Sequence, residues 1–459
     1  MNRTGWKSSP TTAHPMLFSQ KFQLILICTA FLASSCGGTG EAVSNPATAE
    51  AVPASVPVSK SSNPTVRFLE DRVKKDPDDF IALNKLAVEY LNVVRETGDV
   101  AYLDLASRAA KASLAAMPAE QNRGGLGVLA NVQYSSHDFA GARDNALRLM
   151  ELDPGKGYVY QMLGDAQLEL GQYDEAKAAF EKMRELGGIQ TITRSAMEQR
   201  LARLSLLHGD LAKATAHFQE SLKLARSMPD PPKETIAWCQ WQIGEVDFAQ
   251  GKYEAAEKSF RDSLVTYPDY FRALSALGRA RAARGDLAGA IEYYEKAVKI
   301  IPDPYFVATL GDLYKLSGRD EEAARQYALV EQIAKLTVLS GTLYNRQLAM
   351  FYADHDLKAN EAYDLAAKEF EARRDIYGAD ALAWTALKAG KLEEARAAIK
   401  DAMRLGTRDA RLFYHAGMIA KAAGDAGEAK NYLAQALKLN PAFDPLQAPL
   451  ANKALEELK

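Results

Sequence analysis

Residues 243–268 read IGEVDFAQGKYEAAEKSFRDSLVTYP, and residues 277–302 read LGRARAARGDLAGAIEYYEKAVKIIP. Laid over each other, Gly244 falls on Gly278, Gly251 on Gly285, Ala256 on Ala290, Phe260 on Tyr294 and Pro268 on Pro302, an offset of 34 residues throughout. A period of that length marks a repeated supersecondary unit and not a run of separate domains. The residue types suit two helices packed antiparallel. Gly244 or Gly278 on the first helix and Ala256 or Ala290 on the second let the two backbones approach closely. Phe260 and Tyr294 fill the space towards the next unit, Gly251 and Gly285 supply the turn, and Pro268 and Pro302 end the second helix.

The same pattern recurs in both directions. Strong copies run Leu163-Gly164 with Gly171, Ala176 and Phe180; Leu310-Gly311 with Gly318, Ala323 and Tyr327; and Ala416-Gly417 with Gly424, Ala429, Leu433 and Pro441. Weaker ones start at Leu86-Ala87, Leu129-Ala130, Leu201-Ala202 and Leu348-Ala349, and another holds Gly390 and Ala395. About ten such units fit between residues 80 and 441. Extra residues near Gly187, at 228–234 and at 334–341 are expected as longer loops or extended second helices. The pattern resembles the tetratricopeptide repeat. That resemblance implies an all-α fold, a right-handed α-solenoid of about ten helix-turn-helix units with a concave groove built by first helices.

The organisation expected is a signal peptide over 1–35, a lipidated Cys36 and flexible tether over 36–65, the solenoid over 66–441 and a capping helix over 442–459. The apolar run Phe22–Ala33, preceded by Arg3, Lys7 and Lys21, is too short for a hydrocarbon core that needs about 20 residues. It ends in Leu32-Ala33-Ser34-Ser35-Cys36-Gly37, which resembles a bacterial lipobox. The resemblance implies cleavage before Cys36, lipid on its thiol, and a place in the cell envelope on the periplasmic side. The absence of Asp at position 37 favours the outer membrane if the cell is Gram-negative. The Gly-, Ala-, Ser- and Pro-rich stretch that follows holds few large apolar groups and reads as a tether. The terminal KALEELK reads as a polar-faced cap, which a solenoid end requires.

Composition narrows the chemistry. The chain of 459 residues has 56 Lys and Arg against 59 Asp and Glu, so it is not a strongly basic nucleic-acid binder. With 3 Cys and 6 His there is no disulfide scaffold and little to build a metal centre. No HExxH, CxxC, P-loop or dinucleotide-binding motif occurs. No cofactor, metal, nucleic acid or small-molecule substrate is therefore expected. Asp354-His355-Asp356 could hold a cation, but reads as a solvated turn with Asp356 helping to start the next helix. His137, His208 and His217 read as surface groups near other turns.

The groove carries the functional expectation. In the fourth unit as counted from sequence, Trp238, Trp241, Glu245 and Phe248 share one helix face, flanked by Arg203, Arg272 and Arg279. An aromatic centre with a basic rim suits an extended protein segment bearing acidic groups. The same tryptophans could equally be core between adjoining helices. A second candidate joins Trp384, Arg411, Tyr414 and Met418, with His415 and Arg346 nearby. No Lys–Asn pair recurs among Gln161, Asp165, Gln199, Arg203, Trp241, Glu245, Ser275 and Arg279, which argues against a carboxylate clamp. The function expected is a non-catalytic, lipid-anchored protein-interaction scaffold. The alternatives are an accessory or regulatory subunit of an envelope enzyme, transporter or secretion complex, or an enzyme with a composite site. The anchor is checked by fractionation: Cys36→Ser should move the protein from the membrane pellet to the soluble fraction, and retention in the pellet would refute lipidation.

Overall fold

The computed structural model describes residues 63–186, 190–339 and 346–458. Among them are 22 α-helices and no strand. The signal peptide, Cys36 and nearly all of the tether lie outside the described residues. After α1 (Pro64–Lys75) the helices form ten antiparallel pairs. The first helices are α2 (Phe80–Thr97), α4 (Arg123–Ser135), α6 (Gly157–Glu169), α8 (Thr191–Leu207), α10 (Lys233–Ala249), α12 (Phe271–Ala283), α14 (Pro304–Leu316), α16 (Arg346–Asp354), α18 (Ile376–Lys388) and α20 (Ala410–Ala422). Their partners are α3 (Ala101–Ala116), α5 (Phe139–Leu152), α7 (Tyr173–Leu186), α9 (Leu211–Arg226), α11 (Tyr253–Thr266), α13 (Leu287–Ile300), α15 (Asp320–Leu339), α17 (Ala359–Ala372), α19 (Leu392–Ala402) and α21 (Ala426–Leu439). The chain closes with α22 (Gln447–Glu457), which buries Ala448, Ala451 and Ala454 against the last pair. The first helix begins two residues before the expected boundary, because Asn63 caps it and Pro64 opens it.

Five of the pairs are set by a glycine facing a large residue. A methyl group added to Gly164 would lie 2.5 Å from the Phe180 ring, and one on Gly278 would lie 2.5 Å from the Tyr294 ring. Gly244 meets Phe260, Gly311 meets Tyr327 and Gly417 meets Leu433 in the same way. Three of the turns, at Gly209, Gly285 and Gly424, follow one recipe of a left-handed glycine and a capping aspartate. Gly285 takes a φ of +82°, which an L side chain rarely adopts, and Asp286 then caps α13 by accepting from the Gly289 N–H at 2.9 Å. The extra residues behave as expected in two places: 227–232 form a loop, and α15 is lengthened to 20 residues.

The superhelix overtakes itself. The turn of the third pair, at Gly171, abuts the carbonyl of Arg374 just before the ninth pair. The turn of the fourth, at Gly209, abuts Gly406 just before the tenth. The turn of the fifth, at Gly251, abuts Leu439–Pro441 just before α22, and that of the first, at Gly98, meets Ile301 just before the seventh. Contacts thus recur six pairs apart, and one superhelical turn rests on the previous one. Gly209 does double duty: its φ is +70°, and a Cβ there would sit 2.5 Å from the Gly406 carbonyl oxygen. Gly278→Ala should lower stability by about 1–3 kcal/mol through overpacking, although alanine is the better helix former. Gly427→Ala, where the new methyl meets nothing closer than 3.6 Å, should be neutral or stabilising. Urea unfolding of both variants checks this, and equal midpoints would sink the close-approach account.

Candidate functional site

Because the turns stack, the concave face forms a partly open cavity. First helices from α6 to α20 and the 440–444 segment line a cavity of about 470 Å³. That is in the range of sites that hold a small ligand or a few residues of a peptide. Of the residues expected in the groove, Trp241, Glu245, Phe248, Arg203, Arg272 and Arg279 all lie in its wall. They sit on α8, α10 and α12, α10 being the first helix of the fifth pair and not of the fourth.

Trp238 does not join them. It is 1% exposed and meets the Phe218 ring edge-on at 5.7 Å, so it is core. The helix face is continuous, but its N-terminal end is covered by α9 of the preceding pair. The basic rim is corrected too. Arg279 holds both carboxylate oxygens of Glu245, at 2.6 and 2.5 Å, and lies over the Phe248 ring at 4.4 Å. Arg203 donates to Glu169 at 2.6 Å. Arg272 lies over the Phe271 ring at 4.6 Å and is 5.9 Å from that of Trp241. The cations are spent within the wall instead of forming a free rim for acidic groups.

The second candidate divides in the same manner. Trp384 and Tyr414 are 2% and 1% exposed, their ring centroids 5.5 Å apart, and His415 stacks on Trp384 at 4.3 Å. Met418 packs beside that cluster. Arg411 reaches the cavity, where it donates to Asp444 at 2.6 Å and lies 3.8 Å from Asp354, and the nearby Arg346 lines it too.

The Asp354-His355-Asp356 turn is not simply solvated. Asp354 accepts from Trp384 Nε1 at 2.8 Å and from Gln447 Nε2 at 2.5 Å. His355 is held at Asp312 by Nε2 and at the Phe351 carbonyl by Nδ1, each at 2.7 Å. Burial opposes its protonation, but the bond to Asp312 and that carboxylate's charge outweigh it and raise its pKa. Asp356 is exposed, has a φ of +55° and pairs with Lys388, so it is not the cap of α17. His208 is exposed as expected, and His217 pairs with Glu198 at 2.7 Å near the surface. His137 instead lines the cavity and stacks on Phe139, and burial together with the Arg373 charge pushes it down to about 4. Cys239 is fully buried and its thiol is pushed up to about 12 by that burial. Among the described residues no group of three His, Cys, Asp or Glu is placed to hold a metal, and no helix is long and apolar enough to cross a membrane.

Sequence reading named Arg346 and Phe248 but missed most of the partners that close the cavity. Arg373 bonds the Glu169 carboxylate across 204 residues, lies over Phe139 at 4.7 Å and also reaches Asp375 at 3.2 Å. Arg346 bridges Glu369 and Asp375, each at 2.7 Å. The Ile376 N–H donates to the Tyr173 hydroxyl at 2.8 Å, and Asn440 Nδ2 donates to the Phe248 carbonyl at 2.8 Å. No local pattern signals pairs so distant in the chain.

Three family profiles, each described as tetratricopeptide repeat, match residues 242–304, residues 193–267, and residues 158–183 with 410–443. The TPR repeat-containing protein YpiA of Bacillus subtilis is 25% identical over 243 residues, 52% of this chain and 48% of that protein, so the match spans about half of that relative. Among solved structures, PilW, a type IV pilus biogenesis factor, aligns over 45% of this chain and 91% of its own at 18% identity and a TM-score of 0.37. Human IFIT1, as a dimer with PPP-AAAA, aligns over 74% and 77% at 16% identity and a TM-score of 0.47.

The seam between superhelical turns should be labile to acid. Burial opposes ionisation of Glu169, but the charges of Arg373 and Arg203 outweigh it and hold the carboxyl below its ordinary 4.5. Arg346 and Arg373 likewise hold Asp375 below 3.8. Depressed pKa values contribute stability that is present above those ordinary values and lost as pH falls through the folded ones. Arg373→Met should cost somewhat under the roughly 3–5 kcal/mol of a broken buried pair, since Arg203 remains on Glu169. It should also remove part of the acid sensitivity. Urea unfolding at neutral and acid pH checks both; an unchanged pH profile would mean the clasp contributes nothing.

Proposed function

Given that the chain belongs to the tetratricopeptide repeat family, whose members generally bind protein partners, we propose that it is a non-catalytic scaffold. Lipid on Cys36 tethers it to a bacterial envelope membrane, and it receives a segment of a partner protein in the cavity. The observation that carries this reading is the wall itself. Its ionic groups are largely neutralised in pairs, while Trp241, Phe248 and Phe306 line the space between them. A wall of paired charges and aromatic faces is suited to apolar side chains of a segment, with polar groups fixing its direction. The ion pairs hold the frame rigid, so little ordering cost falls on the protein when it binds.

The reading is tested by affinity capture from the native membrane with matched variants. Trp241→Ala should keep its far-ultraviolet helicity and lose the captured partner. Val265→Ala, at an 83% exposed position on α11, should keep both. A partner retained by folded Trp241→Ala would show that the cavity is not the binding surface.

A further inference from the structure

The first and last helices described are each half of a repeat unit. Leu450 follows Pro441 by nine residues, as Leu86 follows Pro77, Leu163 follows Pro154 and Leu277 follows Pro268. Leu450-Ala451 is thus the leucine–small pair of a first helix, and the contact of Gly251 with Leu439–Pro441 seats α22 where an eleventh first helix belongs. Leu86, Leu163 and Leu277 are 0%, 5% and 0% exposed, but Leu450 is 50% exposed. Among the described residues no second helix covers it. α1 is the complement. Twelve and five residues before the proline that ends a second helix stand Ala142 and Leu149, Ala256 and Ser263, Ala290 and Ala297, all of them buried. The corresponding residues of α1 are Thr65 and Arg72, both exposed, and Phe68 lies between them on the same face at 64%. Solenoid ends are ordinarily polar on the outside. Both of these show a large apolar side chain instead.

We infer that α1 of a second copy of this chain docks on α22 and completes the eleventh unit, so that copies join head to tail. The contact continues the seam already built within one chain. There each turn rests on the junction six pairs later, Gly171 on Arg374 and Gly209 on Gly406. A Cβ at the later turn glycines, Gly285, Gly318, Gly390 and Gly424, would meet nothing within 4 Å. With its α1 in the eleventh unit, the second copy's first pair becomes the twelfth, and its 76–79 junction falls on the Gly285 turn. Its next junction, at 117–122, falls on the Gly318 turn. A second copy therefore supplies, in register, the surface that these turns lack. The end helices also differ in sign. α1 exposes Arg67, Arg72, Lys74 and Lys75 against Asp71, and α22 exposes Glu456 and Glu457 against Lys453. The two joined surfaces are different, so the contact does not close on itself and generates an open array.

The test is sedimentation of the intact protein in mild detergent over a range of concentrations. Its average mass should rise between about 10 μM and 1 mM, the range of a small, transient interface. Phe68→Glu and Leu450→Lys each place, at an exposed position, the charge that the opposite end repels. Both should keep the helicity of the monomer, and each should weaken association by about tenfold or more. Each variant retains one working end. Mixed in equal amounts they should form a dimer and nothing larger, because only α22 of Phe68→Glu and α1 of Leu450→Lys remain to pair. An unaltered protein that stays monomeric to about 1 mM would overturn the inference. So would undiminished self-association of either variant, which would mean that like ends meet, or a mixture that grows past dimers. Should a variant fail to fold, hydrogen exchange on the unaltered protein decides: amides of α1 and α22 should gain protection as concentration rises, and no gain in either helix would overturn the inference. The cavity takes no part in this contact, so the scaffold reading stands or falls separately.

Discussion

The contact between a glycine on a first helix and a ring or branched side chain on its partner, repeated in five pairs, governs the geometry of the molecule. Gly164 under Phe180, Gly244 under Phe260, Gly278 under Tyr294 and Gly417 under Leu433 set how closely two helices lie. That closeness fixes the small rotation from one unit to the next. The rotations add up until the ninth pair lies on the third and the tenth on the fourth. The cavity is thus a by-product of accumulated local packing. No helix is specialised to build it.

Once the turns stack, polar groups that would face water in an open solenoid are confined, and they must be satisfied internally. The chain answers with ion pairs that cross between units and between turns, such as Arg203–Glu169–Arg373 and Arg346 on Glu369 and Asp375. Arg200 and Asp165, both 3% exposed, repeat the device deeper in the wall.

The fold was legible in the sequence because every feature that determines it is local. The 34-residue offset, the glycine turns and the small–large pairs all lie within one or two units. The site was legible in part. A helical face can be read from spacing, so Trp241, Glu245 and Phe248 were identifiable as neighbours. Whether a residue on that face meets solvent, a cavity or the preceding unit depends on a few degrees of helix rotation, and Trp238 fell on the other side of that line. The partners of the arginines were not legible at all. Arg373 and Glu169 lie 204 positions apart, and only the accumulated superhelical rotation brings them together.

An open solenoid is an unusually tolerant architecture, since a unit gained or lost changes only its length. Stacked turns remove that freedom. Gly171 meets Arg374, and Gly209 meets Gly406, only because the two junctions lie six pairs apart. One unit more or fewer between them would leave each glycine facing the wrong junction and each clasp without its carboxylate. The repeat number has become a register, as strict as the pairing of two strands. The chain also folds under a requirement that most repeat arrays escape: its early units are complete only when units some two hundred residues later arrive to close over them.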